Sequence, residues 1–163
     1  IIKNSISQQY LQKGGKFIIP IPHPTIVEYN QGLFGVEIKK IDPVFMDERG
    51  IITDLLNEPI HHVGLITHEK DSIRGNHYHK KSKQYSYILS GKFEVLLARY
   101  DEPENVKKVV LYAGELIFIP PFVIHQFKTI ERAVMINIES ESRAANKYEE
   151  DTFRIKIEMK ENQ

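Results

Sequence analysis

The chain has 163 residues and a mass of 19.0 kDa, the length of one domain of ordinary size. Its 22 basic and 22 acidic side chains cancel, so net charge gives no support for a nucleic-acid or anionic-membrane surface. The absence of cysteine excludes disulfides, iron–sulfur clusters and thiol nucleophiles. No apolar run approaches the ~20 residues that span a bilayer, and the first residues lack a signal-peptide pattern. We therefore expect a cytoplasmic protein with neither nucleic acid nor membrane as a partner.

The first residues differ in character from the rest of the chain. Residues 1–32 are polar at the start and then carry Pro20, Pro22 and Pro24 at alternate positions, a spacing that forbids a helix. We expect residues 1–32 to form an N-terminal arm and residues 33–163 to form a single domain. We also expect a homodimer, held through the arm or through edge strands.

From residue 33 onward the sequence predicts short β-strands, rich in Val, Ile, Phe and Tyr and separated by turn residues. The predicted strands are 33–41, 61–67, 84–100, 106–112, 115–119, 123–130, 132–139 and 152–159. No helical stripe long enough for a βαβ unit lies between them. The pattern therefore predicts an all-β sandwich or barrel.

Three of the seven histidines have a spacing that indicates a shared site. His77 and His79 are two residues apart, and alternate residues of a strand face the same side. Gln84 starts the next strand, where a hairpin return would aim it at the same place, and His125 follows a further apolar run. We expect these four side chains to line one pocket.

The same four residues leave the question of a metal open. Three neutral imidazoles suit Zn, Fe, Cu, Mn or Ni. The amide of Gln84 is a weaker and uncharged ligand than a carboxylate, so it would compensate the charge of a buried cation less. The sequence is thus compatible with a divalent metal on His77, His79, Gln84 and His125, and with a site that needs no cofactor.

These positions resemble the two sequence motifs of the cupin family. The motif positions in this chain are His77, His79, Gln84 and Gly91, then Gly114, Pro120 and His125. Three residues depart from the motifs: Gln84 stands for Glu, Phe122 for Gly and Thr129 for Asn. The resemblance implies a double-stranded β-helix, the jelly roll of cupins.

Two further segments resemble the dTDP-4-dehydrorhamnose 3,5-epimerase family: FMDERG at 45–50 and IRGNH at 73–77. That resemblance implies that His77 is the base, that Arg49 and Arg74 contact a nucleotide sugar, and that Asp54 lies near the nucleotide. The family's active-site Lys falls at Gln84 in this chain. Its acid Tyr falls near Ile138, and Tyr148 would replace it under a shifted alignment.

Residues 74–84, RGNHYHKKSKQ, are similar to the hallmark of the 3,4-ketoisomerases that act on dTDP-4-keto-6-deoxyglucose. Only the Ala of that hallmark is replaced, by Tyr78. The cupin domain of capsular-sugar reductases is also similar here. All three resemblances concern activated sugars destined for polysaccharide.

The residues and the resemblances together predict an isomerase or epimerase that moves an α-proton of a nucleotide-linked 4-keto-6-deoxy sugar. Imidazoles titrate near neutral pH, so His77 would be the base and His79 the relay or acid. The predicted substrate-binding residues are Arg49, Asp54, Arg74, Gln84 and His125. Two alternatives remain: a mononuclear metal-dependent cupin acting as an oxygenase or isomerase of a small molecule, and a non-catalytic cupin that binds a sugar or nucleotide.

Overall fold

The computed structural model describes residues 33–160, which fold into strands with one short helix. The strands are β1 (Glu37–Lys40), β2 (Phe45–Asp47), β3 (Gly50–Ile52), β4 (His62–His68), β5 (Ile73–Tyr78), β6 (Gln84–Arg99), β7 (Glu102–Tyr112), β8 (Glu115–Ile119), β9 (Val123–Glu139) and β10 (Phe153–Arg154). The helix of this range, α1 (Lys147–Glu150), has four residues. No helix within 33–160 is therefore long and apolar enough to cross a membrane.

The two longest strands, β6 and β9, pair antiparallel along almost their entire length. The first half of β6, residues 84–90, pairs with residues 134–139, and the second half, residues 92–99, pairs with residues 123–131. The register shifts repeatedly between Ile88 and Phe93, and such bulges bend a strand. The ladder is thus divided into two halves that turn relative to each other.

The shorter strands extend these two halves into the two sheets of a jelly roll. β8 and β1 continue the first half beyond β6, while β4 pairs with the end of β9. β7 pairs with the second half of β6. β5 pairs with the start of β9, and β10 pairs with the other edge of β5. Buried side chains from both sheets form one cluster, including Ile88, Phe93, Leu97, Ile117 and Phe127. The predicted all-β jelly roll is confirmed.

Several predicted strands are observed, and others differ in extent: β1 is shorter than the predicted strand 33–41, and β7 begins at Glu102 rather than at residue 106. β2, β3 and β5 are not among the predicted strands. β6 and β8 lie where the sequence placed them, whereas the predicted strands 123–130 and 132–139 are one strand, β9, because its bent centre stays paired with β6. In the predicted strand 152–159 only Phe153 and Arg154 pair, with β5, although Ile157 is buried. The N-terminal arm, residues 1–32, lies outside the described residues, and the domain boundary and the homodimer stay predictions.

Gly91 lies where the bend of β6 approaches β9 most closely. Its φ is +83°, a left-handed backbone conformation that is unfavourable for residues with a Cβ. A Cβ at this position would lie 2.5 Å from the Cβ of Ala133 and 2.6 Å from the carbonyl oxygen of Arg132. Gly114 has a similar φ of +87° but open space around it. Comparing substitutions at the two glycines therefore distinguishes the cost of backbone strain, present at both, from the cost of a steric clash, present only at Gly91.

We predict that Gly91→Ala destabilises the chain more than Gly114→Ala does. Gly114→Ala should cost about 1–2 kcal/mol, the price of a left-handed alanine. Gly91→Ala adds a clash with the backbone of β9, and we expect its Tm to lie about 4–8 °C below that of Gly114→Ala. Thermal unfolding followed by circular dichroism measures both. Equal Tm values for the two variants would contradict the close approach at Gly91.

Candidate active site

A β-bulge in β5 sets the position of His77. The register of β5 against β9 shifts between Gly75 and His77, and both Gly75 and Asn76 have positive φ, +93° and +58°. A Cβ at Gly75 would lie 2.5 Å from the carbonyl oxygen of His125, so only glycine lets the strands approach this closely. The Asn76 side chain accepts a hydrogen bond from Gln126 Nε2 at 2.9 Å. The bulge thereby places His77 directly opposite His125.

The structure brings His77, His79 and His125 together. The Nε2 atoms of His77 and His125 are 3.1 Å apart, a hydrogen-bond distance. The ring centroids of His77 and His79 are 4.9 Å apart, and those of His79 and His125 are 5.7 Å apart. One ring nitrogen from each of the three lies within 4.8 Å of the others. His79 follows the last residue of β5 and so faces the same side as His77.

Backbone carbonyls orient two of these rings. His125 Nδ1 donates to the carbonyl oxygen of Val123 at 3.1 Å, and His79 Nδ1 donates to that of Asp151 at 2.9 Å. Because a carbonyl only accepts, each Nδ1 carries the hydrogen, and the neutral ring keeps a lone pair on Nε2. The Nε2 of His125 accepts from His77, whereas the Nε2 of His79 is buried and has no partner among residues 33–160.

Asp151 fixes the turn that follows β5 to the C-terminal segment. Its carboxylate accepts backbone N–H bonds from Lys80, Lys81 and Ser82 at 2.9, 3.0 and 2.9 Å. Its carbonyl oxygen accepts from His79. One residue therefore orients His79 and also docks the segment that carries α1 and β10 beside β5.

Burial keeps the imidazoles of His77 and His125 neutral at physiological pH. Desolvation, with a smaller effect from the charge of His79, lowers the pKa of His77 to about 4. Desolvation, with the charges of His77 and His79, lowers the pKa of His125 well below its usual value. A neutral imidazole is the form that accepts a proton or coordinates a metal.

His77, His125 and the predicted Gln84 line a cavity of about 360 Å³, whereas the fourth predicted residue, His79, does not line it. Its other walls are formed by Ile66, His68, Ile73, Arg74, Gly75, Phe127, Met135, Asn137, Arg143, Tyr148 and Arg154. His79 and His125 are only 3% and 2% exposed, whereas His77 is half-buried. His77 is thus the member of the triad most accessible to a ligand in the cavity.

A buried chain of polar groups runs behind the cavity. Gln84 Nε2 donates to Ser86 Oγ at 3.3 Å, and Ser86 Oγ donates to Asn137 Oδ1 at 2.8 Å. Asn137 Nδ2 donates to Glu139 Oε1 at 2.8 Å, and Arg143 Nε donates to Glu139 Oε2 at 2.8 Å. The buried carboxylate of Glu139 is therefore paired with a cation and fully hydrogen-bonded.

Tyr148 brings a phenol to the site from the C-terminal segment. Its ring centroid lies 6.4 Å from that of His77 and 6.0 Å from that of His79. The guanidinium of Arg143 lies over the ring at 4.3 Å. Ile138, where the motif alignment places the acid, instead packs in a separate cluster with Tyr85 and Leu116. The structure therefore places a phenol near the histidines from a different position in the chain.

The substrate-binding residues predicted from the sequence do not all meet. Arg74, Gln84 and His125 line the histidine cavity. Arg49 lies in the turn between β2 and β3, is 78% exposed, and donates to Asp47 at 2.8 Å. Asp54 lines a second cavity of about 450 Å³. Contacts of Arg49 and Asp54 with a substrate stay predictions.

Sequence reasoning missed several residues of the cavity. The sequence does not predict Arg143, Asn137 or Arg154 as site residues, and His68 lacks the spacing of the motif histidines. The Cα of Arg154 is the cross-strand partner of His77, and its side chain also pairs with Glu149. The alternation of apolar and polar residues over 152–159 indicates that this segment is a strand, but such alternation does not identify the partner strand.

A sequence profile of the cupin family matches residues 60–155 of this chain. The chain belongs to the cupin family. The match spans β4 to β10 and includes the whole histidine cluster of this cupin. No curated protein sequence matches the chain significantly.

Solved structures similar to this cupin include nucleotide-sugar enzymes. A mutant 3,4-ketoisomerase from Thermoanaerobacterium thermosaccharolyticum in complex with TDP is 29% identical, with TM-score 0.60, over 75% of this chain and 88% of the other. Another mutant of it, in complex with TDP-4-keto-6-deoxyglucose, is 26% identical, with TM-score 0.60, and 75% and 88% coverage. A dTDP-4-dehydrorhamnose 3,5-epimerase from Sulfolobus tokodaii is 17% identical, with TM-score 0.59, and 76% and 77% coverage, which shows the shared fold. The predicted resemblance is confirmed.

We predict that acid destabilises this cupin below neutral pH. His77 and His68 have folded-state pKa values of about 4, so between pH 6.5 and 4 the unfolded chain binds more protons. Stability is therefore full above pH 6.5 and is lost as pH falls towards 4, by up to about 1.4 kcal/mol per pH unit for each group.

Urea unfolding of chelator-treated protein between pH 7 and pH 5 measures this slope, because most carboxylates stay ionised there. His77→Asn removes one of the titrating groups, and we expect the slope of unfolding free energy against pH to be smaller in that variant. An identical slope in the wild type and in His77→Asn would contradict a neutral, buried His77.

Proposed function

We propose that this cupin is an isomerase or epimerase that transfers an α-proton of a nucleotide-linked 4-keto-6-deoxy sugar. The observation that carries the proposal is a neutral, half-buried His77 hydrogen-bonded to His125, with the Tyr148 phenol near it in the same cavity. The two complexes of the similar ketoisomerase, with TDP and with TDP-4-keto-6-deoxyglucose, support the substrate class. The identity of 26–29% supports the class of reaction rather than one named sugar.

His77 is the base in this proposal. A proton on the carbon beside a ketone is removed to give an enediolate, and its return to the former carbonyl carbon shifts the ketone by one position. His77 has the neutral ring and the access that the first step requires. When His77 takes the proton, the imidazolium can pass its Nε2 proton to His125 across 3.1 Å, so His125 is the relay.

Tyr148 is the proton donor. Its ring centroid lies 6.4 Å from that of His77 and both residues line the same cavity, so a sugar carbon bound there can contact both groups. The Arg143 guanidinium lies over the ring at 4.3 Å, a cation–π contact that helps to hold the phenol at the cavity. His79 is the other candidate acid, but its Nδ1–H is bound to the Asp151 carbonyl and its Nε2 is buried, so Tyr148 is the preferred donor in this proposal.

Two arginines at the cavity wall are candidates to bind the diphosphate of the nucleotide sugar. Arg74 and Arg154 both line the cavity and are both exposed at its rim. Among the described residues no acidic side chain pairs with Arg74, so its guanidinium is available for bidentate contact with phosphate oxygens. Arg154 shares its charge with Glu149 at 2.9 Å. Arg74 is therefore the stronger of the two candidates.

We predict that His77→Asn abolishes proton exchange while nucleotide binding persists. TDP-4-keto-6-deoxyglucose is incubated with enzyme in deuterium oxide, and label at the carbons beside the ketone is followed by NMR. Loss of a general base should slow exchange by about 10²–10⁴-fold. Affinity for TDP should change by no more than a few-fold, because Arg74 is untouched. The matched control is His62→Asn, a half-buried histidine of β4 that does not line the cavity.

In the same experiment Tyr148→Phe should retain label exchange and form product more slowly than the wild type. Exchange that survives in His77→Asn would remove His77 from the role of base. Binding of the nucleotide sugar by the wild type with no exchange at any carbon would instead favour a non-catalytic binding cupin.

A second function, a metal-dependent cupin, has one observation in its favour. The Nε2 of His79 is buried and unpartnered in the described part of the chain, and a divalent ion held by His77, His79 and His125 would use it. Metal–nitrogen bonds of about 2.0–2.1 Å put adjacent ligands about 3 Å apart, as His77 and His125 are. A bound ion would act as a Lewis acid on a ligand oxygen. Gln84 lines the cavity where a charged ligand would balance such an ion better.

The metal content of the untagged protein, purified without chelator, separates the two functions. We expect less than stoichiometric metal per chain by mass spectrometry, and exchange activity that survives treatment with a chelator. One equivalent of Zn, Fe, Mn, Cu or Ni, with activity lost on chelation and restored by that ion alone, would favour the metal-dependent function.

A further inference from the structure

His68 is a buried histidine that the proposed chemistry does not use. It ends β4, is 2% exposed, and lines the same cavity as His77 and His125. Neither of its ring nitrogens has a hydrogen-bond partner within residues 33–160. Its ring packs edge-on against Phe93, with centroids 4.9 Å apart and an interplanar angle of 86°. Its packing contact is therefore one that a phenylalanine could make equally well.

An imidazole in this position is unfavourable for the ligand-free fold. Burying a polar group without a hydrogen bond costs free energy, and here both nitrogens are left without one. A phenylalanine would keep the edge-on contact with Phe93 without that cost. The residue is thus better suited to a state in which the cavity holds a partner for its nitrogens.

The surroundings of His68 define what that partner is. The nearby cavity walls are apolar, formed by Ile66, Ile73, Phe127 and Met135. Desolvation, with the charge of Arg74, lowers the pKa of His68 to about 4, so the ring is neutral. A neutral imidazole offers one donor and one acceptor, the combination that a hydroxyl group matches.

We propose that His68 and this apolar wall form a second binding subsite of the cavity, where the imidazole hydrogen-bonds a sugar hydroxyl of the substrate. The inference rests on the proposed function, because it takes a nucleotide sugar as the ligand. Arg74, three residues before His77, lies on the same cavity wall and acts electrostatically on His68. A ligand whose diphosphate meets Arg74 and whose ketone meets His77 therefore has hydroxyls within this cavity for His68.

Equilibrium binding of His68→Phe tests the subsite without relying on turnover. Titration calorimetry is run with TDP-4-keto-6-deoxyglucose and with TDP alone, and the Tm of each ligand-free protein is measured. We expect the affinity of His68→Phe for the nucleotide sugar to fall about five- to tenfold, the effect of one lost hydrogen bond. We expect its ligand-free Tm to be equal to or above that of the wild type.

Two further variants make the result specific. His68→Gln keeps a donor and an acceptor and should retain more affinity than His68→Phe. His62→Phe introduces the same ring on the same strand outside the cavity and should alter neither ligand's affinity. Weaker binding of the nucleotide sugar alone assigns the hydroxyl to the hexose, and weaker binding of TDP as well assigns it to the pentose.

Unchanged affinity of both His68 variants for both ligands would overturn the subsite. So would a ligand-free Tm of His68→Phe well below that of the wild type together with unchanged affinity, since His68 would then be structural. A wild-type protein that binds neither ligand would instead refute the proposed function, and the subsite with it.

Discussion

The antiparallel pairing of β6 with β9 is the interaction on which the rest of this cupin depends. Because the ladder runs through both sheets, the first half of β6 and the second half of β9 supply Gln84 and Asn137, while the start of β9 supplies His125. A single register error would turn every one of these side chains to the opposite face. Because the paired strands bend near Gly91, residues from both halves of the β6–β9 ladder line the same cavity.

The chemistry of the site follows from where charge is buried and where it is not. The imidazoles of His77 and His125 are neutral because burial penalises their charged forms. The buried carboxylate of Glu139 is neutralised by Arg143, and Arg74 is exposed at the rim. An uncharged amide at Gln84 fits this arrangement, because the neighbouring imidazoles of His77 and His125 are neutral and need no carboxylate to balance them. Proton transfer between neutral groups is the reaction that we propose for such a site.

One departure from the cupin motifs shows how the fold tolerates change. Phe122 occupies the position of a motif glycine and keeps a left-handed backbone, with φ +66°. Its N–H donates to the carbonyl oxygen of His79 at 2.7 Å, and its ring packs with Tyr100 at 5.1 Å between centroids. Such a conformation is costly for a residue with a Cβ, and the hydrogen bond and aromatic contacts hold it. The backbone conformation is therefore retained without glycine, and it fixes the turn beside His79.

The sequence by itself determined the all-β class, most of the longer strands and the shared face of His77 and His79, because each depends on local spacing along a strand or turn. It predicted that His125 joins them through the resemblance to the cupin motifs. Only the tertiary structure decided that Tyr148 enters the site and that Arg49 and Asp54 lie outside the histidine cavity of the chain. Asp151 docks the segment of Tyr148 beside residues about 70 positions earlier. Such contacts depend on how distant segments pack, and neither alternation nor motif spacing reports on that. The environment of His68 also depends on such packing, because its burial against Phe93 without a hydrogen-bond partner among the described residues is visible only in the folded structure.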